Sequence, residues 1–218
     1  MKKLFTAIRH GDIETVKTLI ENKPELVNCT AKQPPKKDDG QSPLQVAIKT
    51  NNFEIANYLL DNGADVNFIE SEDSYDDWRM PVLNHAVLTA VMNCRHNVKS
   101  DLGDTVIFEE FSSKEKADEA FNILKSVLEM GADVNICESF GTSCARRLCR
   151  TAEELLPSYS WGEHKVSDTA VITPELTNDL SRIFLLLQQY NVNFNEEDIN
   201  RYLEEDEHPL SAFIRLVI

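Results

Sequence analysis

Glycine is scarce in this chain, at seven of 218 positions, which argues against a Gly-rich loop that cradles phosphate. No G-x-S-x-G or H-E-x-x-H motif occurs either, so neither a nucleophile elbow nor a zincin site is indicated. The five cysteines, Cys29, Cys94, Cys137, Cys144 and Cys149, are odd in number and form no C-x-x-C pair. That pattern points away from a disulfide framework and a zinc ribbon, and a reducing, cytoplasmic setting is expected. Apolar runs fall far short of the roughly 20 residues that cross a bilayer. The stretch LFTAI behind Lys2 and Lys3 is too short for a signal-peptide core, so no membrane span and no export are expected. Positive charge is also short: 22 Lys and Arg face 37 Asp and Glu, for a formal net charge of −15. A nucleic-acid partner is therefore not expected, because phosphate binding requires cations that displace counterions.

What is present is repetition. The pentapeptide GADVN stands at Gly63 to Asn67 and again at Gly131 to Asn135, each time behind a helix-like run, NYLLDN or KSVLEM. Gly after such a run ends a helix, because the residue past the cap commonly takes the left-handed conformation that Gly adopts without steric cost. A repeated helix exit implies a repeated unit.

The segment Asp39 to Asn67, DGQSPLQVAIKTNNFEIANYLLDNGADVN, resembles the ankyrin repeat, and Gly40, Ser42, Pro43, Leu44, Ala47, Leu59, Leu60 and Gly63 to Asn67 carry the match. Ser42 can cap a helix that opens with Pro43 at its first position. Leu44, Ala47 and Ile48 then share one helical face, as do Ile55, Leu59 and Leu60 in the next helix. The resemblance implies an all-α fold, an ankyrin-repeat solenoid of four to five helix-turn-helix units forming a single domain over 1–218. Its expected parts are an N-terminal cap repeat at 1–28, a second repeat at 37–69, a third at 74–137, a fourth at 138–194 and a C-terminal cap at 195–218. The third and fourth units carry long insertions between their two helices. One swollen third unit is favoured over two compressed ones. The fourth unit closes on QYNVN in place of GADVN, with Gln189 at the Gly position, and HPLSAFIRLVI is expected to open the cap. The insertions share a theme, DTVIF in one and DTAVIT in the other, so they are expected to lie side by side and to pair as short strands.

The resemblance also implies a binding surface, because ankyrin repeats hold partner proteins on finger loops and on exposed positions of each first helix. Carried over, that surface comprises Asp38, Asp39, Gln41, Lys49 and Thr50 in the second unit, and Tyr75, Asp76, Asp77, Trp78, Arg79 and Leu88 in the third. Phe140, Thr142, Arg150 and Thr151 complete it in the fourth. The run Glu70 to Trp78 has five carboxylates in its first eight residues, next to an aromatic of the type that anchors interfaces. Trp78 is read either as that anchor or as a ring packed over the first turn of its own helix. A second acidic run, Glu196 to Glu207, with seven carboxylates, is read as a solvated surface. The expected partner is another protein with a basic surface, met by a monomer. A dedicated inhibitor or immunity protein that neutralises a basic toxin is the alternative, and an enzyme with its site in the insertions is a third. No cofactor, metal or catalytic residue is assigned. Cys144 and Cys149 lie in an apolar-periodic helix and read as core rather than as ligands with Cys137 and His164, and His85 reads as a brace for the finger turn.

Overall fold

The computed structural model describes residues 1–32, 35–72, 77–101 and 106–218. Two helix pairs open the chain: α1 (Lys2–Arg9) with α2 (Ile13–Asn22), and α3 (Pro43–Lys49) with α4 (Phe53–Asp61). Polar caps set the starts of α2 and α3. Asp12 Oδ1 accepts the Thr15 amide at 3.0 Å. Ser42 and Gln45 form a reciprocal capping box with Pro43 at the first helical position. Between the helices of each pair one residue takes a left-handed backbone, Gly11 at φ 70° and Asn51 at φ 57°. A Cβ at Gly11 would stand 2.9 Å from Asn52 Oδ1, and Asn52 Nδ2 donates to the Ile8 carbonyl at 2.7 Å. Helix α1 packs on α3, and α2 on α4. Leu4, Ile8, Leu44, Ala47, Ile48, Ile55 and Leu59 are almost wholly buried between them.

The helix exits explain the repeated pentapeptide. Gly63 and Gly131 have φ 83° and 88°. Behind each, the Asn67 and Asn135 amides return to Asp65 Oδ1 and Asp133 Oδ1, both at 2.9 Å. The closing Asn of one unit then reaches the exit of the next with both ends of its carboxamide. Asn28 Nδ2 donates to the Gly63 carbonyl at 3.0 Å while its Oδ1 accepts the Asp65 amide at 2.8 Å. Asn67 repeats this on Gly131 at 3.2 Å and on Asp133 at 2.7 Å. The pentapeptide thus closes one unit and carries the bond to the next.

The chain continues with α5 (Val82–Met92), an antiparallel hairpin of β1 (His96–Asp101) and β2 (Val106–Phe111), and α6 (Lys114–Glu129). The hairpin interrupts the same kind of inter-helix turn. Ser112 has φ 70° where Gly11 and Asn51 are left-handed, its Oγ donates to the Asn93 carbonyl at 2.7 Å, and Ser113 Oγ accepts the Lys116 amide. After α6 come α7 (Cys144–Glu153), the two-residue strands β3 (Tyr159–Ser160) and β4 (Lys165–Val166), α8 (Pro174–Gln189), and two single-turn helices, α9 (Glu197–Asn200) and α10 (Ser211–Ile214). The helix expected from HPLSAFIRLVI shrinks to α10, with His208 Nδ1 accepting the Leu210 amide ahead of it.

Two compact units separate rather than one block over the whole chain: Met1–Thr89 with Asn122–Ser143, and Ala90–Phe121 with Cys144–Ile218. Elements of a repeat array touch mainly their neighbours, so no single centre holds all of them.

Two expectations about the second unit need correction. The left-handed residue at the exit of α8 is Asn191, at φ 60°, not Gln189, which still lies in the helix. The bonds of the Gly63 exit recur there: the Asn191 amide reaches Gln188, the Val192 amide reaches Leu187, and the Asn195 amide reaches Asn193 Oδ1. NVNFN therefore matches GADVN, and Asn stands for Gly because its short polar side chain tolerates the left-handed region. The insertions do meet, but not as a DTVIF to DTAVIT pair. Val106–Phe111 pairs with His96–Asp101, and it is the β1 side that receives the second insertion. The Lys99 amide donates to the Thr169 carbonyl at 3.1 Å, the Val171 amide to Asn97 Oδ1 at 3.0 Å, and Lys99 Nζ pairs with Asp168 at 2.6 Å. The local hairpin takes one edge of β1, which leaves the other for the later segment.

Candidate partner-binding site

Two turns of the first unit bear the candidate site. The first is closed by the Glu70 amide on the Met80 carbonyl at 3.4 Å and the Val82 amide on the Phe68 carbonyl at 3.1 Å. Its base is organised by Glu70, which is 8% exposed. Oε1 accepts from Gln41 Nε2 at 2.5 Å and from His85 Nε2 at 2.9 Å, and Oε2 accepts the Met80 amide at 3.2 Å. Burial pushes the Glu70 carboxyl up, but the His85 hydrogen bond and charge, with Gln41 and the Met80 amide, outweigh it and hold the carboxyl below its ordinary value. Glu70 is thus an internal anion, and one carboxylate of the acidic run leaves the solvent face. His85 braces the turn, which commits it to a structural bond.

The second turn, Glu138 to Thr142, closes through the Gly141 amide on the Glu138 carbonyl at 3.1 Å and the Glu138 amide on the Thr142 carbonyl at 3.0 Å. At its tip Phe140 and Gly141 are both left-handed, at φ 65° and 74°. A bulky side chain in that region is rare and costs on the order of 1–3 kcal/mol, yet Phe140 holds it with 78% of its surface exposed. The two turns are fastened together: the Ser139 amide donates to the Arg79 carbonyl at 3.0 Å, and the Arg79 amide to Ser139 Oγ at 2.8 Å. This brings the Trp78 ring to 5.8 Å from that of Phe140, tilted by 41°. Strain at Phe140 and fastening at Ser139 together hold two rings at the surface.

Beside the rings lies an open groove of about 520 Å³ lined by Glu72, Asp77, Arg79, Ser139 and Phe140. Glu72 pairs with Arg79 at 2.6 Å, and Asp77 is exposed. Carboxylates next to aromatic rings suit a partner's cationic side chain, through charge and cation–π attraction.

Other expected surface positions fare differently. Tyr75 and Asp76 lie outside the described residues. Asp38, Gln41, Thr142 and Thr151 are 1%, 7%, 4% and 1% exposed, so they brace the interior instead of facing a partner. Asp38 pairs with Arg9, and with Lys49 at 2.7 Å, which commits Lys49 as well. Gln41 is spent on Glu70, and Thr151 Oγ1 donates to the Arg147 carbonyl at 2.9 Å. Thr50, half-buried, caps back onto Val46 at 2.7 Å. Asp39 and Leu88 are half-buried, and Arg150 is exposed in the second unit. The structure brings together Asp77, Trp78, Arg79 and Phe140. Glu72 and Ser139 join them; the first stood within the acidic run, and the second had no signal beyond its place next to Phe140.

Paired helices whose exits bond to one another, with turns projecting from them, define a repeat architecture. Residues 2–70 match the family model described as ankyrin repeats (3 copies). Ankyrin repeats are protein-interaction modules.

Proposed function

We propose that the chain binds a basic partner protein through the Trp78–Phe140 tip and the acidic groove beside it. The observation that carries this is Phe140: a left-handed backbone presents to solvent a large apolar ring that is 78% exposed, with the Trp78 ring beside it. The formal net charge of −15 supports a basic partner, since charge of one sign steers the opposite sign and raises the association rate. The same charge favours, as the second reading, a dedicated inhibitor of one basic protein. We read the chain as a cytoplasmic binder without enzymatic activity, supported by the use of His85 to brace a turn. Among the described residues no helix is long and apolar enough to cross a membrane.

The test is surface-plasmon kinetics with the captured partner at two ionic strengths. Asp77→Asn with Glu72→Gln should slow association and flatten its salt dependence, whereas Trp78→Ala should speed dissociation. Parent-like kinetics in both variants would count against the site.

A further inference from the structure

A separate cavity of about 200 Å³ lies in the first unit, between α1 and the loop that leads to α3. Its apolar lining comes from Met1, Phe5, Ala31 and Pro35, and its charged lining from Lys2, Arg9, Lys32 and Asp38. The loop is closed at its base. The Ala31 amide donates to the Gln41 carbonyl at 2.8 Å, and the Gly40 amide to the Ala31 carbonyl at 3.0 Å. Asp38, 1% exposed, is offset twice, by the Arg9 guanidinium and by Lys49 at 2.7 Å. Lys2 and Lys32 are exposed and pair with no carboxylate among the described residues. The charge around the cavity is therefore positive.

That sign runs against the rest of the chain. Residues 1–49 hold nine Lys and Arg against six Asp and Glu, whereas residues 50–218 hold 13 against 31. The groove beside Trp78 and Phe140 is lined by Glu72 and Asp77, so the two recesses of this unit select opposite charges. The space is smaller than the roughly 300–1,000 Å³ of small-molecule sites and larger than the roughly 30 Å³ of a water. It suits one side chain. Apolar walls favour an aliphatic one, and carboxylates flanking that side chain suit Lys2 and Lys32 through charge-assisted contacts.

We propose that this cavity takes an aliphatic side chain flanked by carboxylates, from an acidic segment of a partner protein. The full chain is titrated with Ac-Gly-Glu-Leu-Glu-Gly-NH₂ and with its Gln-Leu-Gln and Glu-Ala-Glu counterparts, followed by the backbone amide resonances of Ala31 and Lys32. The Glu-Leu-Glu peptide should move both saturably and bind about tenfold tighter than either counterpart. Its lead over the Gln-Leu-Gln peptide should shrink as salt is raised. Lys2→Gln with Lys32→Gln changes only exposed positions, so it should keep the parent's circular dichroism signal and bind those two peptides alike. If this variant loses that signal, the parent titrations alone decide. Equal affinity for all three peptides, or no saturable movement, would overturn the proposal. Movement of the Trp78 indole N–H in place of Ala31 and Lys32 would put the peptide in the other groove, with the same result. Inorganic phosphate or phosphatidylserine vesicles moving Ala31 and Lys32 where Glu-Leu-Glu does not would mean a bare anion or membrane site and overturn the partner's chemistry. None of these readouts depends on what the Trp78–Phe140 tip binds.

Discussion

The two units hold themselves together by different means. In the first, the same bond is made again at each step: Asn28 grips the exit at Gly63, and Asn67 grips the exit at Gly131. In the second, ion pairs that differ from one another join the elements. Asp179 takes the Arg95 guanidinium at 2.9 and 2.8 Å and its amide at 3.0 Å. Asp118 bridges Lys114 and Arg182, and Arg146 pairs with Glu196 at 2.5 Å and Asp198 at 3.1 Å. A bond that recurs leaves a recurring signature in the sequence; a bond that occurs once leaves none.

The comparison breaks most sharply at Asp179, which is wholly buried. Arg95→Ala removes the two guanidinium bonds to a buried anion and leaves the amide bond, and about 3–5 kcal/mol of stability should be lost. Denaturant unfolding monitored by circular dichroism checks this; a loss below about 1 kcal/mol would place the pair among surface ion pairs. Burial pushes the Asp179 carboxyl up, but the Arg95 hydrogen bonds and the Arg182 and Arg95 charges outweigh it and leave it below its ordinary 3.8. A depressed carboxylate contributes stability that is present above the unfolded value and lost as pH falls through the folded one. Acid titration of the parent should therefore show this loss below pH 3.8, and Arg95→Ala should lack it.

Much of the first unit was legible because its physics is periodic. Leu44, Ala47, Ile48, Ile55, Leu59 and Leu60 are buried as their spacing predicts, and Ser42 caps with Pro43 behind it. Burial of Asp38 and Gln41 was not legible, since their partners Arg9 and Glu70 are 29 positions away and nothing local marks such a pair. The acidic run near the C-terminus was misleading for the same reason. Glu205 accepts from the Tyr159 hydroxyl at 2.8 Å and pairs with His164 at 2.8 Å, so part of the run braces the second insertion rather than facing solvent alone. The exit at Asn191 was placed two residues early because a search for Gly overlooks Asn. At the site, Trp78 and Asp77 stood out by composition, while the neighbour that orients them, Ser139, lies 60 positions beyond Arg79.

Smaller effects sharpen the contrast. Asn67→Ala removes two neutral, exposed bonds and should cost about 1–2 kcal/mol, with Asn67→Asp intermediate because it keeps the acceptor for Asp133. A loss from Asn67→Ala as large as that from Arg95→Ala would erase the difference between the units. Smallest of all are the exits. Gly131→Ala meets no atom within 4 Å, so only its left-handed backbone counts, and about 1 kcal/mol should go. Asn191→Gly should stay within about 0.5 kcal/mol of the parent, if Asn there does the work of Gly. Thermal melts of both variants provide the comparison.

Parallel affinity capture tests the proposal that binding runs through the tip of the first unit. Three baits are used on extract of the native host: the parent, Trp78→Ala with Phe140→Ala, and Lys99→Ala with Asp168→Ala at the meeting of the insertions. Captured proteins are quantified by mass spectrometry, after circular dichroism has shown each bait folded. A basic protein should be retained by the parent and by the insertion variant and lost by the tip variant. Retention by the tip variant with loss from the insertion variant would contradict it and move the binding surface to the insertions.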